Sequence, residues 1–358
     1  MSNKPQTIAI VIIPRFNMLT MTAFIEPMRI ANYLSANPLY TWNYRSVEPG
    51  EIHASNGMFL RCGPLEQPGQ EAPDIVVMFG SWGADHYHSK ALNNWLRRQE
   101  RAGATLVGVE LGVYALARAG LLTNKKVTTH WSCKPGFSEA NPNVEVCEQL
   151  YTIDGKIMSC AGGTTGMDLM LHLIAQRHGN QLVAEVCNQI LHYPRRPPEG
   201  AQRYAAGSMD EDIHPDVRAA MAILEARVEE PCSVPLLCNE LGVSQRQLER
   251  LFKRHTGCTI VQFSKLLRLQ YARVLLTSTR MSIREVSAAC GFNSLSYFSL
   301  CFADTFGKKP SEYRQAWPEN EPTPQWPGTV YSFMQKPKPG GSRHTRLKIS
   351  PGEPRPQP

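Results

Sequence analysis

The feature that most restricts what this chain can become is a plan written twice in its C-terminal third. Ser233–Gly257, SVPLLCNELGVSQRQLERLFKRHTG, and Ser282–Gly307, SIREVSAACGFNSLSYFSLCFADTFG, share one layout. Each reads as a short helix, a turn on a glycine (Gly242, Gly291), a capping residue (Ser244; Asn293 or Ser294) and a second helix. Ser244 with Gln247 and Ser282 with Glu285 have capping-box spacing. Leu237, Leu241, Leu248, Leu251 and Phe252 give the first unit an apolar core, and Val286, Phe292, Phe298, Phe302 and Phe306 do so in the second. A long helix is predicted between them over Leu266–Leu276. From Pro215 to about Trp317 the chain is helical almost throughout.

The first ~190 residues follow a different rule. Thr7–Ile13 is apolar and β-branched, Tyr40–Glu48 alternates, and Asp74–Phe79 (DIVVMF) and Thr105–Val109 read as strands buried on both faces. Met18–Asn32, Ser89–Ala102, Gly112–Ala119, Gly166–Arg177 and Gln181–Leu191 have helical spacing, and a hairpin is expected around Asp154-Gly155. Strands alternating with helices predict an α/β domain on a mostly parallel sheet, followed by an all-α domain. The expected limits are 1–192 for the α/β domain, 193–211 for a linker rich in proline and glycine, 212–317 for the helical domain and 318–358 for a tail. The tail holds ten prolines and no periodic core pattern, so it is expected to be disordered.

Charge divides along the same lines. Residues 1–211 hold 18 basic and 18 acidic side chains, residues 212–317 hold 14 and 10, and residues 318–358 hold 6 and 3. The formal +7 of the 358-residue chain therefore lies wholly in its C-terminal part, which points to an anionic partner, nucleic acid first. Apolar residues make up 42%, enough for a real core, so wholesale disorder is excluded. No window approaches the ~20 apolar residues of a membrane helix, and no membrane partner is expected. No signal peptide is read at the N-terminus, so a cytoplasmic location is expected. The ten cysteines form no CxxC and no zinc spacing with histidine, so they read as reduced, buried thiols and no metal is assigned.

Two helix-turn-helix units joined by a helix, with Ala288-Ala289-Cys290-Gly291-Phe292, Phe298, Phe306-Gly307, Pro310 and Tyr313-Arg314, resemble the DNA-binding domain of AraC/XylS-type transcription regulators. The resemblance covers about 215–315 and implies double-stranded DNA as a partner. In such a unit the N-terminal part of the second helix enters the major groove. In the first unit that face is Gln245, Arg246, Gln247 and Arg250, with Lys253 and Arg254 suited to phosphates. In the second it is Asn293, Ser294, Ser296, Tyr297 and Ser299. The family usually carries a basic residue about where Leu300 stands; here Asn293–Thr305 has no Lys or Arg. The first unit is therefore expected to do most of the specific reading, with Arg250 the foremost base contact.

Ala54-Ser55-Asn56-Gly57, Gly108–Leu122, Thr128-Thr129-His130-Trp131, Ser159–Thr164, Leu171–Ile174 and Gln202-Arg203 resemble the PfpI-type, class I glutamine amidotransferase-like fold found at the N-terminus of one branch of these regulators. Enzymes of that fold place a cysteine on a sharp strand-to-helix turn. Glu110 stands at the matching position, so the resemblance implies a sensor with no catalytic residues, not an enzyme. Glu26, expected near the start of the first long helix, matches the place of an acid beside that turn. Two acids on one pocket, with Trp82, Trp131 and Phe79 as an aromatic wall, suit a cation. His130, and Ser81 with the Gly80 and Gly83 backbone, are further ligand candidates. The branch responds to small nitrogen metabolites, quaternary ammonium compounds and basic amino acids among them. A small-molecule effector is thus implied, with no cofactor. Homodimerisation, RNA polymerase as a candidate partner and activation as the commoner mode of regulation come with the resemblance. Two rival readings are an amidase-like hydrolase fused to a DNA-binding domain, and a DNA-binding protein whose α/β domain only dimerises.

Overall fold

A computed structural model describes residues 4–66, 71–193, 195–202, 213–279 and 281–315. The expected tail at 318–358 and residues 203–211 of the expected linker lie outside the described residues.

The N-terminal body is an eight-stranded sheet between two helical layers. Five strands run parallel in the centre: β2 (Tyr40–Ser46), β1 (Gln6–Ile12), β5 (Ile75–Gly80), β6 (Thr105–Glu110) and β10 (Ile157–Cys160). At one edge β4 (Phe59–Pro64) joins β2 in parallel and β3 (Gly50–His53) pairs antiparallel with β4; at the other, β9 (Tyr151–Asp154) runs antiparallel to β10. The side-chain period of two sorts the central strands. Ile8, Ile10, Ile12, Ile75, Val77, Phe79, Val107 and Val109 face one layer, while Ala9, Val11, Val76, Met78 and Leu106 face the other. Helices α1 (Met18–Leu34), α5 (Thr165–His178) and α6 (Asn180–Ile190) cover the first face. Helices α2 (Lys90–Arg101), α3 (Val113–Arg118) and α4 (Lys134–Ala140) cover the second. A short parallel pair, β7 (Lys126–Thr128) with β8 (Glu145–Cys147), lies beside β9.

The expected strands and the hairpin at Asp154-Gly155 are present. The β3–β4 hairpin, the β7–β8 pair and α4 went unread, because each is short and lacks an apolar period.

The C-terminal body opens with α7 (Pro215–Ala226), followed by α8 (Val234–Leu241) and α9 (Gln245–Thr256), then α10 (Ile260–Ser278), α11 (Ile283–Ala289), α12 (Leu295–Phe306) and α13 (Pro310–Gln315). Two cores fill it. Leu237, Leu248, Leu251 and Phe252 pack with α7 and the start of α10, and Val286, Phe292, Phe298, Phe302 and Phe306 pack with the end of α10. Ser282 and Glu285 form the expected reciprocal capping box, whereas Ser244 caps α9 by accepting from Gln247 N alone. Helix α10 is longer than expected because its own capping box, Thr259 with Gln262, starts it earlier. It also packs against α4 of the N-terminal body.

Candidate effector site and nucleic-acid interface

The parallel strands end together, and there the chain turns most sharply. Glu110, the last residue of β6, has φ +56°, a left-handed conformation that a side chain adopts only under constraint. Two residues on, a Cβ at Gly112 would lie 2.0 Å from the Met78 carbonyl, so the turn into α3 admits only glycine there. This is the strand-to-helix elbow on which related folds mount a nucleophile.

Here the elbow carries a buried carboxyl. Glu110 is 6% exposed. Ser81 donates its hydroxyl to Oε1 at 2.7 Å, and Thr20 donates to Oε2 at 3.1 Å. Thr20 Oγ1 itself accepts from Gly163 N at 2.8 Å, which leaves its hydrogen for Glu110. Thr129 donates to the Glu110 carbonyl at 2.9 Å. Gly162, at φ +101°, closes the space above: a Cβ there would be 2.8 Å from Glu110 Cγ. Burial pushes the Glu110 carboxyl up to about 7, against the downward pull of the Ser81, Thr20 and Asn17 side chains. Near neutral pH the group is poised between its two charge states.

The other expected ligand residues fall into two groups. His130 and Trp131 stand in the loop after β7, with ring centroids 5.5 Å apart and Trp131 38% exposed. His130 Nδ1 lies 2.7 Å from Ser132 Oγ, and burial lowers the imidazole pKa, which keeps the ring neutral. Trp82 is half-buried in the turn after β5, beside Ser81. Glu26, by contrast, sits in mid-helix and not near the helix start, and its carboxylate is bonded to Arg29 at 2.8 and 3.1 Å. Thr20, six residues earlier on α1, is the side chain which that helix brings to the elbow. Phe79 is core, packed edge-on against Phe24, and does not form a wall. Ser81 spends its hydrogen on Glu110. Thr20 was missed because nothing local in a sequence ties it to a residue ninety positions away.

No thiol takes over the elbow. Cys133, half-buried, and Cys160, buried, both lie near Glu110, and desolvation pushes each thiol up to about 12. The thiolate is the nucleophile, and a raised pKa disfavours it at both positions.

Three further attachments involve the expected linker. Arg196 grips the fully buried Asp168 of α5 through Nε, Nη2 and its backbone N–H at 2.6–2.9 Å, and reaches Thr164 Oγ1 at 2.7 Å. Gln202 donates to Thr128 Oγ1, the Thr129 carbonyl and the Gln149 carbonyl at 2.9–3.1 Å. Leu150 N bonds the Pro198 carbonyl at 2.8 Å. Residues 195–202 are thus a strap fastened to the α/β body instead of a free linker. Its two side-chain fastenings, Arg196 and Gln202, sit on the segments beside Glu110, Gly162–Thr164 and Thr128–Thr129.

On the C-terminal body, α9 presents Gln245, Arg246, Gln247, Arg250, Lys253 and Arg254 to solvent. Arg246, Arg250 and Lys253, with Gln245 and Glu249, line a cavity of about 880 Å³ closed on its other side by Thr259–Val261. Glu249, which accepts from Gln245 Nε2 at 3.0 Å, was not foreseen on this face. On α12, Ser296 and Tyr297 are exposed and Ser299 is half-exposed, with Asn293 and Ser294 exposed ahead of it.

Comparison with known proteins agrees with this division. A helix-turn-helix domain model matches residues 237–316, and the DJ-1/PfpI family model matches residues 20–176. The chain is 35% identical over 323 residues to the HTH-type transcriptional regulator GbdR of Pseudomonas aeruginosa, spanning 90% of this chain and 87% of that one. It is 36% identical over 317 residues to the HTH-type transcriptional regulator CdhR of the same species, spanning 88% and 94%. An AraC family transcriptional regulator structure from Pseudomonas putida matches 52% of this chain and all of its own, with TM-score 0.48 and 24% identity. Among the described residues no helix is long and apolar enough to cross a membrane.

Proposed function

Because this chain belongs to the HTH-type transcriptional regulators of AraC type that carry an N-terminal DJ-1/PfpI domain, and is a regulator and not an enzyme, we propose the following working cycle. The α9 and α12 faces bind a specific duplex, and a small amine-bearing metabolite at the elbow controls that binding. Arg246 and Arg250, with Gln245 and Gln247, read base edges, while Lys253 and Arg254 hold phosphates. The effector lies against Glu110, with Trp82, Trp131 and His130 around it. Its positive charge draws Glu110 into the ionised state, and the aromatic faces add cation–π attraction. The protein acts as a homodimer that activates transcription, in the manner common to the wider family.

The observation that carries this reading is the strap. Gly163 bonds Thr20 and Thr129 bonds Glu110, while Arg196 and Gln202 fasten the chain leading to α7 onto these same loops. From the Glu110 carboxyl two hydrogen bonds, through Thr20 to Gly163, lead to the loop that the strap holds, and from its main-chain carbonyl one, through Thr129, does so. For that to be control, the effector must bind two arrangements of the strap with different affinity.

The test has two arms. Full-length protein is used to select duplexes from a random library, and affinity is followed by fluorescence anisotropy with and without betaine, carnitine, choline and arginine. The expected result is a selected duplex whose affinity changes with one of these amines, and a calorimetric heat for that amine. Effector-independent DNA binding with no heat from any amine would leave the α/β domain as a dimerisation module. Failure to enrich any duplex would overturn the DNA reading itself.

A further inference from the structure

The two recognition helices are in register, fifty residues apart. Ser244 and Ser294 both cap by accepting from the backbone N–H three residues on, and Gly257 and Gly307 both end their helices in the left-handed region. The buried positions coincide: Leu248 with Phe298, Leu251 with Cys301, Phe252 with Phe302, Thr256 with Phe306. The outward positions must then coincide too, and there the chemistry is replaced. Arg246 becomes Ser296, Glu249 becomes Ser299, Arg250 becomes Leu300 and Lys253 becomes Ala303. Leu300 is 60% exposed, one residue after Ser299 and one helical turn after Ser296.

Helix α12 is held fixed with respect to α10, the helix that also joins it to the first unit. Arg268 of α10 stacks 4.0 Å above the Phe292 ring and donates to the Cys290 and Gly291 carbonyls at 2.7 and 2.6 Å. Helix α10 packs on both α9 and α12. The two recognition helices are thus carried on one scaffold helix, and the proposal takes α12 to meet the same duplex as α9.

We propose that the second unit reads thymine methyl groups, with Leu300 as the specificity-determining side chain. This rests on the reading that α9 binds duplex DNA. Within the major groove the C5-methyl of thymine is the bulky apolar group, and the other groups that tell the base pairs apart are hydrogen-bond donors or acceptors. A leucine pressed onto guanine O6 and N7 or cytosine N4 would leave those groups without partners, which costs more than it gains. The same leucine on a thymine methyl buries apolar surface on both sides. Ser296 and Ser299 are small enough to let the helix approach, and their hydroxyls tolerate either base edge. The first unit therefore selects by charge and hydrogen bonding, and the second by methyl contact.

The experiment uses full-length protein and its selected operator. Each thymine is replaced in turn by deoxyuridine, which removes the methyl and nothing else, and affinity is measured by anisotropy. At one or more positions the wild type should bind about fourfold more weakly, the factor for one lost buried methyl. Leu300→Ala should bind the thymine and uracil forms alike, near the weaker wild-type value. Leu300→Arg should move the preference at that position toward guanine. Thymine and uracil operators bound equally at every position would overturn the proposal, as would a methyl effect that survives Leu300→Ala. So would a Leu300→Ala protein with unchanged DNA affinity but weakened capture of purified RNA polymerase. Arg250→Ala keeps the outcomes apart: if it weakens binding while no methyl matters, the DNA reading stands and this inference falls.

Discussion

Replacing Glu110 by glutamine isolates the most strongly perturbed carboxyl of the elbow. The side chain is 6% exposed and its carboxyl is raised to about 7 from an ordinary 4.5, with burial as the largest cause. The fold therefore favours the protonated form. The stability this group contributes is complete below about pH 4.5 and is lost as pH rises through 7. Integrated between those two values, the difference is roughly 3 kcal/mol, at 1.36 kcal/mol per pH unit. Glutamine fits the cage without ionising: its carbonyl accepts from Thr20, and its amide donates to Ser81 once that hydroxyl turns. Glu110→Gln and the wild type should thus be nearly matched at pH 5. By pH 8 the variant should be more stable by roughly 3 kcal/mol, on the order of 5–10 °C in Tm for a body of this size.

Tryptophan fluorescence suits the assay, because Trp42, Trp82, Trp95 and Trp131 all lie in the N-terminal body and residues 213–315 contain none. Unfolding of both proteins is followed in urea from pH 5 to pH 8. Other groups titrate in both proteins and cancel in the difference. A stability difference that stays constant over this range would refute the reasoning, since it would mean that Glu110 keeps one charge state throughout and that the closed hydroxyl cage is not its environment.

The remaining predictions concern coupling and assembly. A cationic effector that touches Glu110 should expel a proton, so its affinity should rise up to tenfold per pH unit below 7 and level off above; calorimetry in two buffers of different ionisation enthalpy reads the proton, and a pH-independent affinity would detach the effector from Glu110. Gln202→Ala, which cuts one fastening of the strap, should leave effector affinity within about twofold while abolishing the effector's influence on DNA binding; an intact response in anisotropy would remove the strap from the pathway. Arg268→Ala should cost about 2 kcal/mol in urea unfolding of the C-terminal body by circular dichroism, because two carbonyls lose charged donors and Phe292 loses its stacked cation. The same variant should bind a duplex carrying both half-sites no more tightly than one carrying the α9 half-site alone.

How much of this was legible in the residues depends on range. The β5 and β6 strands could be read from DIVVMF and TLVGVE because full burial leaves a continuous apolar run. The double helix-turn-helix could be read because its caps, glycines and apolar spacing all lie within twenty-five residues of one another. Glu110 was legible as the residue standing where a thiol would be. Its partners were not. Thr20 and Ser81 reach it from 90 and 29 positions away, and hydroxyl residues are common enough that neither stands out. Glu26 shows the complementary limit: an acid on the right helix looks like a site residue, and its pairing with Arg29 three positions on does not show in the pattern that singled it out. The strap failed by composition, since prolines and glycines around Arg196 and Gln202 say turn and not anchorage.

The same comparison corrects what charge can say about a DNA-binding surface. Fourteen basic residues in 212–317 count equally in a sum, yet they are not equally available. Arg268 is spent on two carbonyls and a ring, and Arg227 is paired with Glu240 at 2.9 Å. Arg273 stacks on Phe306, and burial lowers its pKa to about 10. Among the described residues, Arg246, Arg250, Lys253 and Arg254 stand exposed within nine residues of α9, Arg284, Lys308 and Lys309 are exposed outside the two recognition helices, and α12 itself offers none. A modest net charge is therefore compatible with a strongly polarised surface. Salt dependence gives this a measurable form: each phosphate contact contributes about 0.9 to the slope of log K against log salt. Removing Lys253 or Arg254 should each lower that slope by about one, and any exposed change on α12 that adds no cation should leave it where it was.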